Sequence, residues 1–417
     1  MSEMIGARKQ SLVVRLLILL TMAVGMNALF ARTGFAANES VLYSFGGTPD
    51  GASPAYNLIR DTAGNLYGVT ADDGVYGGGI AFELSLQSGV WTESILHSFG
   101  GPGDDFGASG GLTMDAAGNL YGVAYGGENT GMVYQLSPDG HGNWTETILK
   151  TFGGSFSIPM DGLTMDAEGN LYGVVEAGGS QGYPRNGAVF ELSPPPKTAK
   201  NKQWKYKVLY KFLSPKTKDG SDPNGDLVLD AAGNLYGTAN RDGLYGCGNV
   251  FELSPGAKTW TEKILYSFRG LTDGCNPGGG LIADASGNFY GVTETGGLDY
   301  SGVVFAMSSN AGNWTETVLY SFTGGSDGSF PIGTLTLRDD HLYGVTLYGG
   351  NPPGIGVVFE LLSSGDKWTE KALHVFTSSP DGSGPLGGVT FDPKGNLYGT
   401  TLYGGTSGNG VVYEISK

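Results

Sequence analysis

The phrase GNLYG occurs at Gly64–Gly68, Gly118–Gly122, Gly169–Gly173, Gly233–Gly237 and Gly395–Gly399, and the near copies GNFYG and DHLYG occupy Gly287–Gly291 and Asp340–Gly344. The tyrosines, at 67, 121, 172, 236, 290, 343 and 398, are spaced by 54, 51, 64, 54, 53 and 55 residues. Self-similarity on this scale belongs to propellers and other repeat arrays. The fold must therefore reiterate one small supersecondary unit, seven times, rather than wrap a single irregular core.

Each unit reads as four short apolar stretches separated by Gly, Asp, Asn and Pro, the pattern of strands joined by tight turns. In one complete unit these are GGLTMD, NLYGVA, GMVYQLS and WTETILKTF, here called strands a, b, c and d. The link D-x-x-G-N between a and b suits a tight hairpin, with Asp or Asn bonding local backbone and Gly taking positive φ. Glycine supplies 74 of the 417 residues and charged residues only 15%, a balance that demands many turns, while the regular aromatic and β-branched positions exclude disorder. Four antiparallel strands per unit make a propeller blade.

The last repeat supplies strand c, GVVYEIS, without a strand d, and the missing strand lies at the other end: ESVLYSFGG, from Glu39 to Gly47, matches TEKILYSFRG and TETVLYSFTGG but precedes the first strand a. The expected fold is an all-β, seven-bladed β-propeller of four-stranded antiparallel blades, closed by residues 39–45 completing the last blade. All six tryptophans, at 91, 144, 204, 260, 314 and 368, open a strand d, which points to packing at the outer edge of the blades. The combination GNLYGxT, GxVFEL, WTExxLYSF and DGxxP, in fixed order over residues 39–417, resembles the GloVer tandem repeat (Gloeo_Verruco) of exported bacterial choice-of-anchor proteins. That resemblance implies export and an envelope setting, and it implies no activity.

Residues 1–36 differ from the rest. Arg8, Lys9 and Arg15 precede the apolar run LLILLTMAVGMNALF, and GFAA follows. This is the pattern of a secretory signal peptide, cleaved after Ala36 to leave one propeller domain over residues 37–417. The run has 15 residues, short of the ~20 that a membrane-spanning helix needs, so no transmembrane segment is expected in the mature chain. Beyond residue 36 the chain holds 20 basic and 39 acidic residues, a formal charge of −19. Such a surface repels phosphate backbones and anionic lipid, which makes nucleic acid and membrane surfaces poor partners; no nucleic acid is expected.

In a closed ring the b-to-c and d-to-a connections share one face, and here the b-to-c loops are long and varied, as in TADDGVYGGG and TETGGLDYSG. Loops of that kind on a rigid scaffold carry binding residues. They contain Tyr76, Tyr125, Tyr183, Tyr245, Tyr300, Tyr348 and Tyr403 beside Asp72, Asp73, Glu128, Glu176, Asp242, Glu294 and Asp299. Aromatic faces with carboxylates at their edges suit a neutral polar ligand, a glycan or a protein segment; the competing reading is that each Tyr covers a glycine-rich loop. The DGxxP segments at Asp50, Asp219, Asp273, Asp327 and Asp381 offer one or two carboxylates apiece, fewer than a calcium loop requires, so turn chemistry accounts for them and no metal or cofactor is expected. His97 and His374 replace the Tyr of LYSF, His341 falls in an a-to-b turn and His141 in a c-to-d loop; none lies in the long loops, so no histidine-based triad or zinc site is expected on that face. No catalytic residue is assigned. The favoured function is a secreted, monomeric, non-enzymatic binding module, with an extracellular carbohydrate-active hydrolase or lyase using loop carboxylates as the alternative. The basic stretch SPPPKTAKNKQWKYK reads as a solvated loop in the third blade. The only two cysteines, Cys247 and Cys275, fall in a b-to-c loop and in the following d-to-a crossover of the fourth blade. These connections approach on one face, so a disulfide is expected.

Overall fold

The computed structural model describes residues 38–416 apart from 105–106, 127–129, 154–157, 177–185, 201, 214–217, 351–353 and 366. The proposed signal peptide, Tyr183 and Glu128 lie outside the described residues. Strands b, c and d form where the sequence places them; the fourth blade, for example, runs Ser221–Leu229, Leu235–Arg241, Asn249–Ser254 and Thr261–Ser267, each antiparallel to the next. Seven such blades make a β-propeller. The last consists of Thr390–Phe391, Leu397–Thr401, Val411–Ser416 and, from the other end of the described chain, Asn38–Ser44.

Closure is hydrogen-bonded beyond the strands themselves. The Phe45 N–H donates to the Gly410 carbonyl at 3.1 Å and the Thr406 N–H to Ser44 Oγ at 2.9 Å. Phe45 is fully buried against Phe82 of the first blade, ring centroids 5.2 Å apart. The closing strand therefore covers the outer edge of Val411–Ser416 and ends by inserting its aromatic residue between two blades.

The repeated residues hold turns and blade contacts. In D-x-x-G-N-L-Y-G the Asp carboxylate caps its own hairpin: Asp115 accepts from the Ala117 and Asn119 N–H groups, from Asn119 Nδ2 at 2.7 Å and from the Tyr121 hydroxyl at 3.1 Å. The tryptophans pack across the blade boundary, Trp144 on Tyr67 of the preceding blade and Trp204 on Tyr121, centroids 6.3 and 6.0 Å apart. The Pro-rich insertion lies between strands c and d of the third blade, Ala188–Ser193 and Lys205–Lys211. Cys247 and Cys275 are joined by a disulfide, Cα atoms 4.6 Å apart.

Strand a departs from the simple expectation. It is split in the first, fifth and last blades, as Ala52–Pro54 and Ile59–Arg60, Cys275–Pro277 and Ile282–Ala283, and Gly382–Ser383 and Thr390–Phe391. In three others its register slips midway, for instance between Asn224 and Val228. Strand a is innermost, and where the seven backbones converge on the axis several positions leave no room for a Cβ. The glycine pairs before its recurring Leu or Val, such as Gly279-Gly280 and Gly387-Gly388, permit this: a Cβ on Gly387 would sit 2.5 Å from the Tyr56 carbonyl carbon.

Candidate functional site

Where strand a breaks, it encloses an axial cavity of about 180 Å³ to which all seven blades contribute, with Tyr56, Asn57, Asp161, Asp226 and Thr334 its main polar walls. A wider mouth of about 430 Å³ shares Tyr56 and Met160 with it and adds Asp72, Ser109, Tyr125, Ile158 and Glu176. The mouth lies on the b-to-c side, because strand b ends there: Asp72 closes Leu66–Asp72 and Tyr125 lies near the end of Leu120–Gly126. Tyr125 is held by its backbone, its N–H donating to the Gly107 carbonyl at 2.9 Å while the Gly107 N–H reaches the Gly78 carbonyl of the neighbouring blade.

The loop tyrosines do not occupy one layer. Tyr125, Tyr348 and Tyr403 stand at the loop's start, five or six residues after the Leu of LYG, whereas Tyr76, Tyr245 and Tyr300 stand ten or eleven residues after the Leu or Phe of theirs. All six are exposed, from 43% for Tyr125 to 72% for Tyr300. Tyr76 lies over Gly101, Tyr245 beneath the Arg269 guanidinium at 5.6 Å, and Tyr348 against Phe330 at 5.9 Å. Of these six described loop tyrosines, Tyr125 alone lines the mouth. Among the acids, Asp73 and Asp242 take positive φ and their carbonyls accept from Gly79 and Gly248, so they shape loop turns. Asp299 is exposed beside Tyr300, and Glu294 accepts from Asn240 Nδ2 at 3.3 Å, its carboxyl raised chiefly by burial.

The axial acids were not legible as a pair. Asp161 Oδ2 accepts the Gly225 N–H at 2.6 Å, and Asp226 Oδ1 accepts the Gly162 N–H at 2.7 Å, a reciprocal clasp between adjacent inner strands. Both carboxyls are enclosed by protein while lining the cavity. Burial pushes Asp161 up to about 7, the Gly225 N–H opposes this, and the charges of Asp226 and Glu176 add to it. Asp226 is raised by burial against the Gly162 N–H. Perturbed acids in a cavity are the usual mark of a functional site. The available signal was positional: where the second, fifth and last strands a carry Gly-Gly before Leu or Val, the first, third, fourth and sixth carry Tyr-Asn, Asp-Gly, Gly-Asp and Gly-Thr.

His97 and His374 stand in strand d, as their place in the LYSF phrase predicts. Strand d runs toward the loop face, so His97 and His374 near its end meet the d-to-a connections, His97 Nε2 lying 2.9 Å from Asp104 and His374 Nε2 3.2 Å from Asp381. The sequence pattern shows a substitution in LYSF but not the residue it faces, which folds back from seven positions later.

A seven-bladed ring with two carboxylates in an axial cavity and a tyrosine-bearing loop face defines a repeat propeller with one differentiated face. Residues 27–184, 131–324 and 261–417 match the Gloeobacter/Verrucomicrobia repeat, and the chain belongs to that family. No curated protein matches the chain. Among solved structures, a protein of unknown function from Dyadobacter fermentans DSM 18053 is 14% identical, with 81% of this chain and 98% of that one covered and a TM-score of 0.43. A Thermus thermophilus protein described as an oxidoreductase (glucose dehydrogenase) gives 14%, 91%, 100% and 0.43 for the same measures. The calcium structure of a carbohydrate-active enzyme of family AA12 from Trichoderma reesei gives 13%, 92%, 96% and 0.45. At such distances these likenesses carry no argument about chemistry.

Proposed function

We propose that this propeller is an exported, non-enzymatic binding module that holds a neutral glycan at the loop-face mouth over its first three blades. The carrying observation is the mouth itself: Tyr125 and Tyr56 supply aromatic faces, while Asp72, Ser109 and Glu176 supply polar edges in a cavity of about 430 Å³. Stacking on a sugar ring and hydrogen bonding to its hydroxyls need that combination. The loop tyrosines outside the mouth extend the contact surface for a longer chain. The disulfide supports a location outside the cytoplasm, where such bonds persist, and among the described residues no helix is long and apolar enough to cross a membrane.

The test is a binding screen of neutral and acidic oligosaccharides against the purified protein, followed by Tyr125→Ala. Loss of at least about ten-fold in affinity, roughly the 1.4 kcal/mol of one good stacking contact, with an unchanged melting temperature is expected; full affinity in that variant would move the site elsewhere. A second reading rests on the axial acids: Asp161, retaining its proton near neutrality, has the character of a general acid. Release of reducing or unsaturated ends from the same oligosaccharides, abolished by Asp161→Asn, would replace binding with hydrolysis or elimination.

A further inference from the structure

Six blade interfaces enclose the same two carboxylates, one from the d-to-a crossover and one from the start of the next strand d: Asp50 with Glu93, Asp104 with Glu146, Asp219 with Glu262, Asp273 with Glu316, Asp327 with Glu370 and Asp381 with Glu39. At the remaining interface Lys150 stands over Tyr206, 5.0 Å from its ring centre. In four of the six, a tyrosine of strand d donates its hydroxyl to the Asp, as Tyr266 does to Asp273 at 2.8 Å and Tyr320 to Asp327 at 3.0 Å. A phenol gives this pair a proton and offers no free basic nitrogen. In the other two the donor is histidine, and the chemistry of the cluster changes.

His97 Nε2 lies 2.9 Å from Asp104 Oδ2 and 3.6 Å from Glu146 Oε1. Around His374 the donor atoms of Glu39 and Asp381 likewise all fall within 4.8 Å of one another. Glu39 Oε1 is sealed from solvent and has no hydrogen-bond partner among the described residues, as is true of Oε1 of Glu93, Glu262, Glu316 and Glu370 at the tyrosine interfaces; only the histidine interfaces add a nitrogen ligand to it. We propose that these two interfaces each bind a divalent cation of the zinc class, through one imidazole nitrogen and two carboxylate oxygens, with the remaining positions left to water. Metal–ligand bonds of about 2.0–2.2 Å in tetrahedral geometry put donor atoms roughly 3.3–3.5 Å apart, between the two separations measured at His97. Two enclosed carboxylates repel each other, and a dication offsets both at once. An imidazole with two carboxylates suits zinc, manganese or cobalt better than calcium, which takes six to eight oxygens.

The two sites have structural meaning in the ring. One joins the first and second blades; the other joins the sixth blade's strand d to Glu39 of the closing strand. A cation bound only by the folded ring stabilises it by mass action, and here it clamps the seam.

The experiment starts from purified protein stripped with a chelator. Calorimetric titration with Zn²⁺ is expected to give two equivalents per chain, and Co²⁺ to give a visible ligand-field spectrum. His97→Tyr and His374→Tyr each remove one equivalent, and the double variant removes both. These substitutions install the residue used at four equivalent interfaces, so the metal-free melting temperature should hold. Zn²⁺ should raise the melting temperature of the parent and leave the double variant unchanged. Should a tyrosine variant fail to fold, Glu146→Gln and Glu39→Gln remove the same sites one at a time. Absence of Zn²⁺ binding by the parent, or two equivalents surviving in the double variant, overturns the proposal.

Discussion

The glycine of LYG has a steric cause that differs from that of the turn glycines. A Cβ on Gly237 would meet the Phe251 ring at 2.7 Å and Leu227 at 2.8 Å, both fully or almost fully buried, and the same collision recurs at Gly68 with Phe82 and Gly344 with Phe359. Strand b is a spacer there: its missing side chain admits the phenylalanine of the adjacent strand c. Gly237→Ala is expected to cost about 1–3 kcal/mol by overpacking, read from denaturant unfolding. Gly246 takes φ near +81° with nothing within 4 Å of a Cβ, so Gly246→Ala should cost only about 1 kcal/mol of backbone strain. Equal losses in the two variants would refute the steric account.

Among the elements, the closing strand Asn38–Ser44 has the largest consequence for its length, because the last blade and the seam both depend on it. Deleting residues 38–46 removes the fourth strand of a blade and the fully buried Phe45; loss of that side chain alone is worth about 3–5 kcal/mol. Deleting residues 194–202 shortens a connection between strands, a change that loop-closure entropy tolerates at little cost. Thermal unfolding of the two deletions should therefore separate widely, and coincident curves would mean that the ring does not close through this strand. Strand a shows the opposite relation of sequence to form. Its apolar pattern resembles that of strands b and c, yet it breaks, because the neighbours it meets come from other blades: Thr164 Oγ1 donates to the Leu227 carbonyl and Thr336 Oγ1 to the Val389 carbonyl.

For the whole ring, the repeated interface acids set a pH dependence. Burial raises Glu262 and Glu316 to about 7, with the charges of Asp219 and Asp273 adding to it, from a usual value near 4.5. Glu93 and Glu370 follow the same pattern with Asp50 and Asp327. A raised acid keeps its proton in the fold while the unfolded chain releases it, so its contribution is complete below about 4.5 and is lost as pH climbs to about 7. In the other direction, the turn aspartates Asp115, Asp230 and Asp284 are enclosed enough for burial to raise them, but their Asn, backbone and Tyr donors outweigh it and hold them below 3.8. Their contribution is lost in acid. The metal-free melting temperature is thus expected to peak near about pH 4–5 and decline toward neutrality, and Glu316→Gln should flatten the decline. A midpoint that rises steadily to neutral pH would contradict the interface assignment.

How much was legible follows from what each feature depends on. Blade number, strand order within a blade, closure by residues 39–45 and the Cys247–Cys275 bridge could be read because each is local or follows from counting repeats around a ring. The loop face was also legible, as a consequence of antiparallel order. Repetition hid the rest, since Asp161 and Asp226 sit a full repeat apart in sequence and become a pair only where two inner strands meet, each carboxylate on the N–H of the glycine beside the other. His97 and His374 are in the same position: one substitution in a strand acquires chemistry from the Asp that folds back beside it and from a Glu of the next blade. The sequence by itself determined the unit and its number, because hydrogen bonding, turn chemistry and side-chain alternation act over a few residues. Only the tertiary structure decided which carboxylates share a cavity, because that depends on how seven units approach one another around an axis.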